Sequence, residues 1–265
     1  MRGFAAAFLF LLVSGCASAP PASDRPVLPE RSALLLVKGS DTLTLLENSG
    51  WKIGYDEDRR NPAWVAYTVP GEVRFPDHKR LAFSVDQRTS ARVSPADYTN
   101  TGFSRGHMAP SFAMYTRHGA DVQREAYRMS NICPQKQELN GGIWNDLEEY
   151  EGGQRADDPS WARRYGWVLV LTGPIYAETP QFLPGQAKIE IPDEFFKIVL
   201  RIELDRPIVL AFRFPHEEAE RRSLEAYLVS VDEIERLTGL DFFSALADEI
   251  ENALEGTAAT LLWSR

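Results

Sequence analysis

His107 is the residue whose neighbours best equip it to move a proton. It stands in "GFSRGHMAPS", residues 102–111, two positions after Arg105, and is one of four histidines in the chain. An imidazole with an unperturbed pKa near 6.5 works as base or acid around neutral pH. Read as a strand, the segment sends Arg105 and His107 to the same side, because strand side chains repeat every two residues. Downstream, "MSNICPQKQELNGGIWNDLEEY" (129–150) spaces Asn140, Trp144 and Glu148 at four-residue steps. On a helix starting near residue 140 all three share one face, with Trp144 as its packing anchor. Each also has a plain structural reading. Asn before Gly-Gly is what a turn or an N-cap looks like. Glu148, in a run with Glu149 and Glu151, reads as a solvated face, and a lone histidine is more often structural than catalytic.

The elements that must hold these residues are mostly strands. "ALLLV" (33–37), "WKIGY" (51–55), "AWVAYTV" (63–69), "WVLVLTG" (167–173), "FKIVLRIEL" (196–204) and "IVLAFRF" (208–214) are rich in β-branched and aromatic residues. Helical patterns cover about 119–129, 142–151 and 231–238. The last follows Ser230 and Glu233 at capping-box spacing and stops before Gly239. Strands outnumber helices and do not alternate with them, which predicts an α+β fold: a mixed or antiparallel sheet with helices packed on it.

Taken together, "SRGHMAP", "SNICPQ" with "LNGGIWNDLE", and "LTGPIY" (171–176) resemble the DNA/RNA non-specific endonucleases of the ββα-metal (His-Me finger) class. The likeness runs from about Trp51 to Phe243, with "NPAWVAYTV" before the site and "VSVDEIERLTGLDFF" after it, in family order. It implies a ββα-metal finger and hydrolysis of phosphodiester bonds in DNA and RNA, largely without sequence preference, to 5′-phosphate ends. By the same resemblance His107 is the general base and Asn140 the direct protein ligand of Mg²⁺, with Mn²⁺ as an alternative ion. Glu148 holds a metal-bound water, since about 12 Å of helical rise separates it from Asn140. Arg105 either binds phosphate or braces the loop, and Arg80 is a weaker match to a phosphate clamp. Asn131 and Gln135 match polar residues that flank the site, which implies a part in substrate binding. One position departs from the pattern: Ser104 stands where the family motif has aspartate. A catalytically weak nucleic-acid-binding envelope lipoprotein, or a phosphodiesterase for a non-nucleic substrate, are the competing readings.

The formal net charge of −9 supplies no global field to draw in a polyanion. Arg59, Arg60, Arg74, Lys79, Arg80, Arg88, Arg92 and Arg105 nevertheless crowd residues 59–105, and a local basic cleft suffices for contacts to phosphate and sugar. Before all this, Arg2 and the apolar run Phe4–Val13 read as a signal segment too short to span a bilayer. "LVSGC" resembles a lipobox, which implies lipid attachment at Cys16, a membrane partner and an exported, outer-membrane lipoprotein of a bacterial envelope. Four prolines in 17–30 suit a tether of about 40 Å if extended. The expected organisation is a signal peptide at 1–15, lipidated cysteine and tether at 16–30, and one endonuclease domain at 31–265. Oligomeric state stays open, a homodimer being one option. Cys133 would then be the one cysteine left in the domain, so stability must come from the core.

Overall fold

A computed structural model describes residues 28–39, 41–75, 78–153, 159–217 and 222–265. The leader, Cys16 and most of the tether therefore lie outside the described residues. Eleven strands are β1 (Thr44–Glu47), β2 (Lys52–Asp56), β3 (Asn61–Pro70), β4 (Ser104–His107), β5 (Ile132–Gln135), β6 (Trp167–Ile175), β7 (Gln181–Phe182), β8 (Glu190–Ile191), β9 (Glu194–Glu203), β10 (Arg206–Pro215) and β11 (Leu228–Val229). Helices are α1 (Ser111–His118), α2 (Ala120–Ala126), α3 (Gln137–Asn140), α4 (Ile143–Gly152), α5 (Trp161–Tyr165), α6 (Val231–Thr238) and α7 (Asp248–Glu255).

Seven strands form the main sheet in the order β1-β2-β3-β6-β9-β10-β11, every pairing antiparallel. The α+β reading holds. The central strands β3, β6 and β9 are apolar on both faces because both faces are covered. Along β3, Val65, Tyr67 and Val69 enter one core, while Trp64 and Ala66 enter the other. Residues of α1, α2, α4 and α5 fill the first core; α6 and the segment before α7 fill the second. Each large apolar side chain so buried stabilises the fold by about 1.5–3 kcal/mol. β4 and β5 stand apart as a two-stranded sheet, with Ser104 opposite Gln135 and His107 opposite Ile132.

Two expectations are corrected. Residues 33–37 form no strand; Ala33–Leu35 is a single 3-10 turn. Leu34 and Leu35 are consecutive and both buried in the second core, which a helical turn permits and an alternating strand does not. The helix expected at 119–129 is shorter, α2 ending at Ala126, and an unexpected helix α1 precedes it, the two joined at Gly119, whose φ of 99° only glycine adopts easily. The helix at 231–238 is as expected: Ser230 Oγ accepts from the Glu233 N–H at 3.2 Å, and Gly239 closes it with φ 71°.

Candidate active site

β4 exists because its partner strand is built around it. Gly106 lies under the Gln135 side chain so closely that a Cβ there would sit 2.0 Å from Gln135 Oε1. Cys133, fully buried, pairs opposite Gly106. The strand geometry puts Arg105 and His107 on one side, as alternation requires. Arg105 donates through Nε and Nη2 to the Pro95 carbonyl at 3.2 and 2.6 Å, which braces the loop that carries Pro95.

His107 is wedged between aromatic rings: Phe83 at 5.2 Å and Tyr127 edge-on at 4.9 Å between centroids. These contacts fix the imidazole plane without using its nitrogens. Nε2 is out of solvent and has no hydrogen-bond partner among the described residues. Such an atom is costly to leave unmet, and a water or substrate group would satisfy it. Burial pushes its pKa down to about 3, with the charges of Arg80 and His78 adding to the effect. The ring is therefore neutral throughout the neutral range.

α3 and α4 supply the remaining residues, and here the continuous helix expected from residue 140 is corrected. Asn140 ends the short helix α3, and Glu148 lies in α4, with Gly141 and Gly142 between. Gly142 has φ −108° and ψ −120°, outside the helical region, and a Cβ there would meet the Glu138 carbonyl at 2.2 Å. The helix breaks at Gly142, where the backbone conformation and the closeness of the Glu138 carbonyl leave room for glycine alone. Asn140 is thus no N-cap and shares no helix with Glu148, so the rise argument for their separation lapses.

Each helix is pinned separately. The backbone N–H of Lys136, just before α3, donates to His216 Nε2 at 2.8 Å, while His216 Nδ1–H donates to the Pro192 carbonyl at 2.5 Å. Ser104 Oγ donates to Gln137 Oε1 at 2.7 Å, tying β4 to the first residue of α3. Trp144 anchors α4 against Phe195 and Phe214, edge-on at 5.6 and 5.9 Å. Arg117 donates to the Gly152 carbonyl at its far end.

Glu148 is no solvated-face residue. Its side chain is 23% exposed and faces Lys197 Nζ at 3.8 Å. Lys197, wholly buried, also lies 2.9 Å from Glu151 Oε1, an ion pair by distance rather than an aligned hydrogen bond, and 4.2 Å over the Trp144 ring. Tyr67 Oη donates to the other Glu151 oxygen at 2.9 Å. Burial pushes the Glu148 pKa up to about 7, Lys197 pulls it back and Glu151 pushes again. The Trp144 indole N–H helps hold the negative charge without reaching hydrogen-bond geometry. Glu148 and Asn145 line a pocket of about 300 Å³ with Pro110, Phe112, Ala113 and Gly153.

Asn131 and Gln135, expected among the substrate-binding residues, lie in the interior beside the strand pair. Both are fully buried. The Asn131 amide donates to the Ala109 and Ala126 carbonyls at 3.0 Å each and accepts from the Ala109 N–H at 2.9 Å, so it is committed to shaping the loop after His107. Gln135 fills the space that Gly106 leaves. The basic run at 59–105 is also thinner than its sequence suggests. Arg59, Arg74 and Arg88 pair with Asp56, Glu72 and Asp86. Lys79 and Arg80 are exposed and carry no ion pair among the described residues, and Arg80 is the one whose field reaches His107. Sequence reasoning missed Lys197 and His216. Lys197 had a readable signal, a lone cation inside an apolar strand; His216 had none.

A histidine on the first strand of a two-stranded sheet, followed after the second strand by an amide and a carboxylate on packed helices, defines a ββα-metal nuclease. The DNA/RNA non-specific endonuclease model matches residues 36–249. The chain belongs to that family and is a nucleic-acid hydrolase, in a family of metal-dependent nucleases. It is 32% identical to a nuclease of Serratia marcescens over 84% of this chain and 83% of the relative. It is 31% identical to the mitochondrial endonuclease G of Homo sapiens over 75% of this chain and 69% of the relative. A nuclease of Nostoc sp. is 28% identical over 94% of this chain and 95% of its own. Among solved structures, EndoG in its complex with EndoGI superposes with a TM-score of 0.65 at 23% identity, covering 78% of this chain and 88% of that one.

Proposed function

We propose that the chain is a Mg²⁺-dependent endonuclease that cuts both DNA and RNA, leaves 5′-phosphate ends, and is held at a bacterial envelope by lipid on Cys16. The observation that carries the catalytic part is the unpartnered, solvent-excluded Nε2 of a neutral His107. Clamped by Phe83 and Tyr127, that nitrogen is set to take the proton of an attacking water without first losing one of its own. Asn140 suits a hard cation: its amide is half-buried and makes no hydrogen bond among the described residues, and a neutral oxygen leaves the ion's charge undiminished. Bound there, Mg²⁺ would supply charge neutralisation on the phosphate and on the leaving 3′ oxygen.

The other residues position and screen. Glu148, kept part-ionised by Lys197, accepts hydrogen bonds from water in the adjoining pocket. Arg80 offers its guanidinium to substrate phosphate, and Arg105 holds the loop under His107 through Pro95. Ser104 supports an intact site rather than a decayed one, because its hydroxyl still ties β4 to α3. The envelope location rests on the short apolar leader ending in "LVSGC".

Incubation with plasmid, single-stranded DNA and RNA, with Mg²⁺ and then with EDTA, tests the activity. Cleavage of all three with metal and of none in EDTA is the expected result; failure on every substrate with metal present would overturn it. Substituting Mn²⁺ in the same assay reports how strictly the site selects its ion.

A further inference from the structure

On the opposite face of the sheet from His107, α6 and α7 bring acids together. One carboxylate oxygen each of Asp232, Glu235 and Glu255 lie within 4.8 Å of one another. Like charges so close repel unless something positive or a proton lies between them. Glu235 has a partner, the Phe242 N–H at 2.7 Å. Glu255 is only 6% exposed, and its Oε1 is out of solvent with no hydrogen bond among the described residues.

The surroundings deepen the deficit. The charges that bear most on Glu255 are four carboxylates, Glu235, Glu251, Asp232 and Asp241. Lys38, the nearby cation, is engaged with Asp241 at 3.9 Å. Glu255 is the last residue of α7, where the helix presents unpaired carbonyls and favours positive charge, yet α7 has no basic residue in its last turn. Gly256 follows, and a Cβ there would come within 3.7 Å of Asp232 Oδ2, so the two helices touch at this point.

We infer that Asp232, Glu235 and Glu255 form a second cation site, remote from the nuclease centre, which takes a hard divalent ion and ties α7 to α6. The donors are all oxygen, which suits Ca²⁺ or Mg²⁺ over softer metals. Two of them, Asp232 and Glu235, stand one turn apart on α6. Ca²⁺ is the fitting probe, because its larger and more flexible shell accepts side-chain oxygens with waters completing it.

Thermal unfolding of the whole protein, with EDTA and with Ca²⁺, tests this. At about 100 times its dissociation constant, Ca²⁺ bound only to the folded chain should raise Tm by about 5–10 °C. The double variant Asp232→Asn/Glu255→Gln should lose that rise and, in EDTA, melt above the wild type, since the repulsion is gone. Asn140→Ala, which removes the ligand at the nuclease centre, should keep the part of the rise that the double variant loses. Circular dichroism and plasmid cleavage check that the double variant remains folded. No rise in the wild type, a rise retained by the double variant, or a rise lost in Asn140→Ala would each overturn the site. The last would place the ion at the nuclease centre instead. An equal gain for the double variant with and without Ca²⁺ would show that a shared proton, not a metal, holds the cluster.

Discussion

At the scale of single residues, the site separates proton transfer from charge control. His107→Ala should lower cleavage by about 10²–10⁴-fold, the usual worth of a general base, with an unchanged Tm; a variant above a tenth of the wild-type rate would remove His107 from the mechanism. The pH profile belongs to the Glu148 carboxylate. His107 is held near 3 and Glu148 is raised to about 7, so activity that needs ionised Glu148 should fall as pH drops through about 7, long before His107 protonates. Lys197→Met removes the charge that lowers the Glu148 pKa and should move this acid limb to higher pH. Glu151→Gln removes the charge that raises it and should move the limb lower. Profiles of kcat/KM against pH for the two variants decide, and shifts in the same direction would disconnect Glu148 from the rate. Lys197 was legible from its position among Phe195, Phe196, Ile198 and Val199, where only a paired cation is tolerated. The Arg105 and Asn131 roles were not, because the acceptors they find, at Pro95, Ala109 and Ala126, are backbone groups that no side-chain pattern marks.

Among elements, the joint between α3 and α4 decides where Asn140 points. Gly142→Ala would force a methyl to within 2.2 Å of the Glu138 carbonyl, and should destabilise by about 1–3 kcal/mol while impairing cleavage. Gly141→Ala, which meets chiefly the movable Gln137 side chain, should cost less; equal Tm losses in the two would contradict this account. A different pH response belongs to α7. Burial and neighbouring acids raise the Glu255 pKa to about 8 from 4.5, so folding without divalent ions takes up a proton. The stability this brings is full below about 4.5 and lost as pH rises through about 8; Glu255→Gln should flatten that dependence in a Tm–pH series. Strands β3, β6, β9 and β10 were legible because burial on both faces writes long apolar runs. β4 and β5 were not, since "SRGH" and "ICPQ" owe their strand form to each other. The Gly-Gly pair was visible but equally compatible with a helix start, and only the Glu138 carbonyl distinguishes a start from a break.

Over the whole molecule, an acidic protein must bind a polyanion through few cations. Arg59, Arg74 and Arg88 are engaged in ion pairs and Arg105 with the Pro95 carbonyl, and of the exposed cations Arg80 is the one whose field reaches His107. Arg80→Ala should therefore raise KM on duplex DNA similarly for every sequence. It should also flatten the plot of log affinity against log salt by about 0.9, one phosphate contact. An unaltered salt slope would mean that Arg80 does not touch the backbone. Cys16→Ser should shift the protein out of the membrane fraction and abolish acyl labelling, with the specific activity of the folded domain unchanged. Retained membrane fractionation together with retained label would show that the anchor lies elsewhere.

Cys133 turns the two-stranded finger into its own reporter. Its thiol is fully buried opposite Gly106, and burial raises its pKa well above that of a free thiol. An alkylating reagent can reach it only when β4 and β5 part, so the labelling rate counts excursions of the finger from its closed form. Any ligand that engages His107 from the closed state should slow that clock in proportion to its occupancy, and binding at the nuclease centre could be followed with no bond being cut.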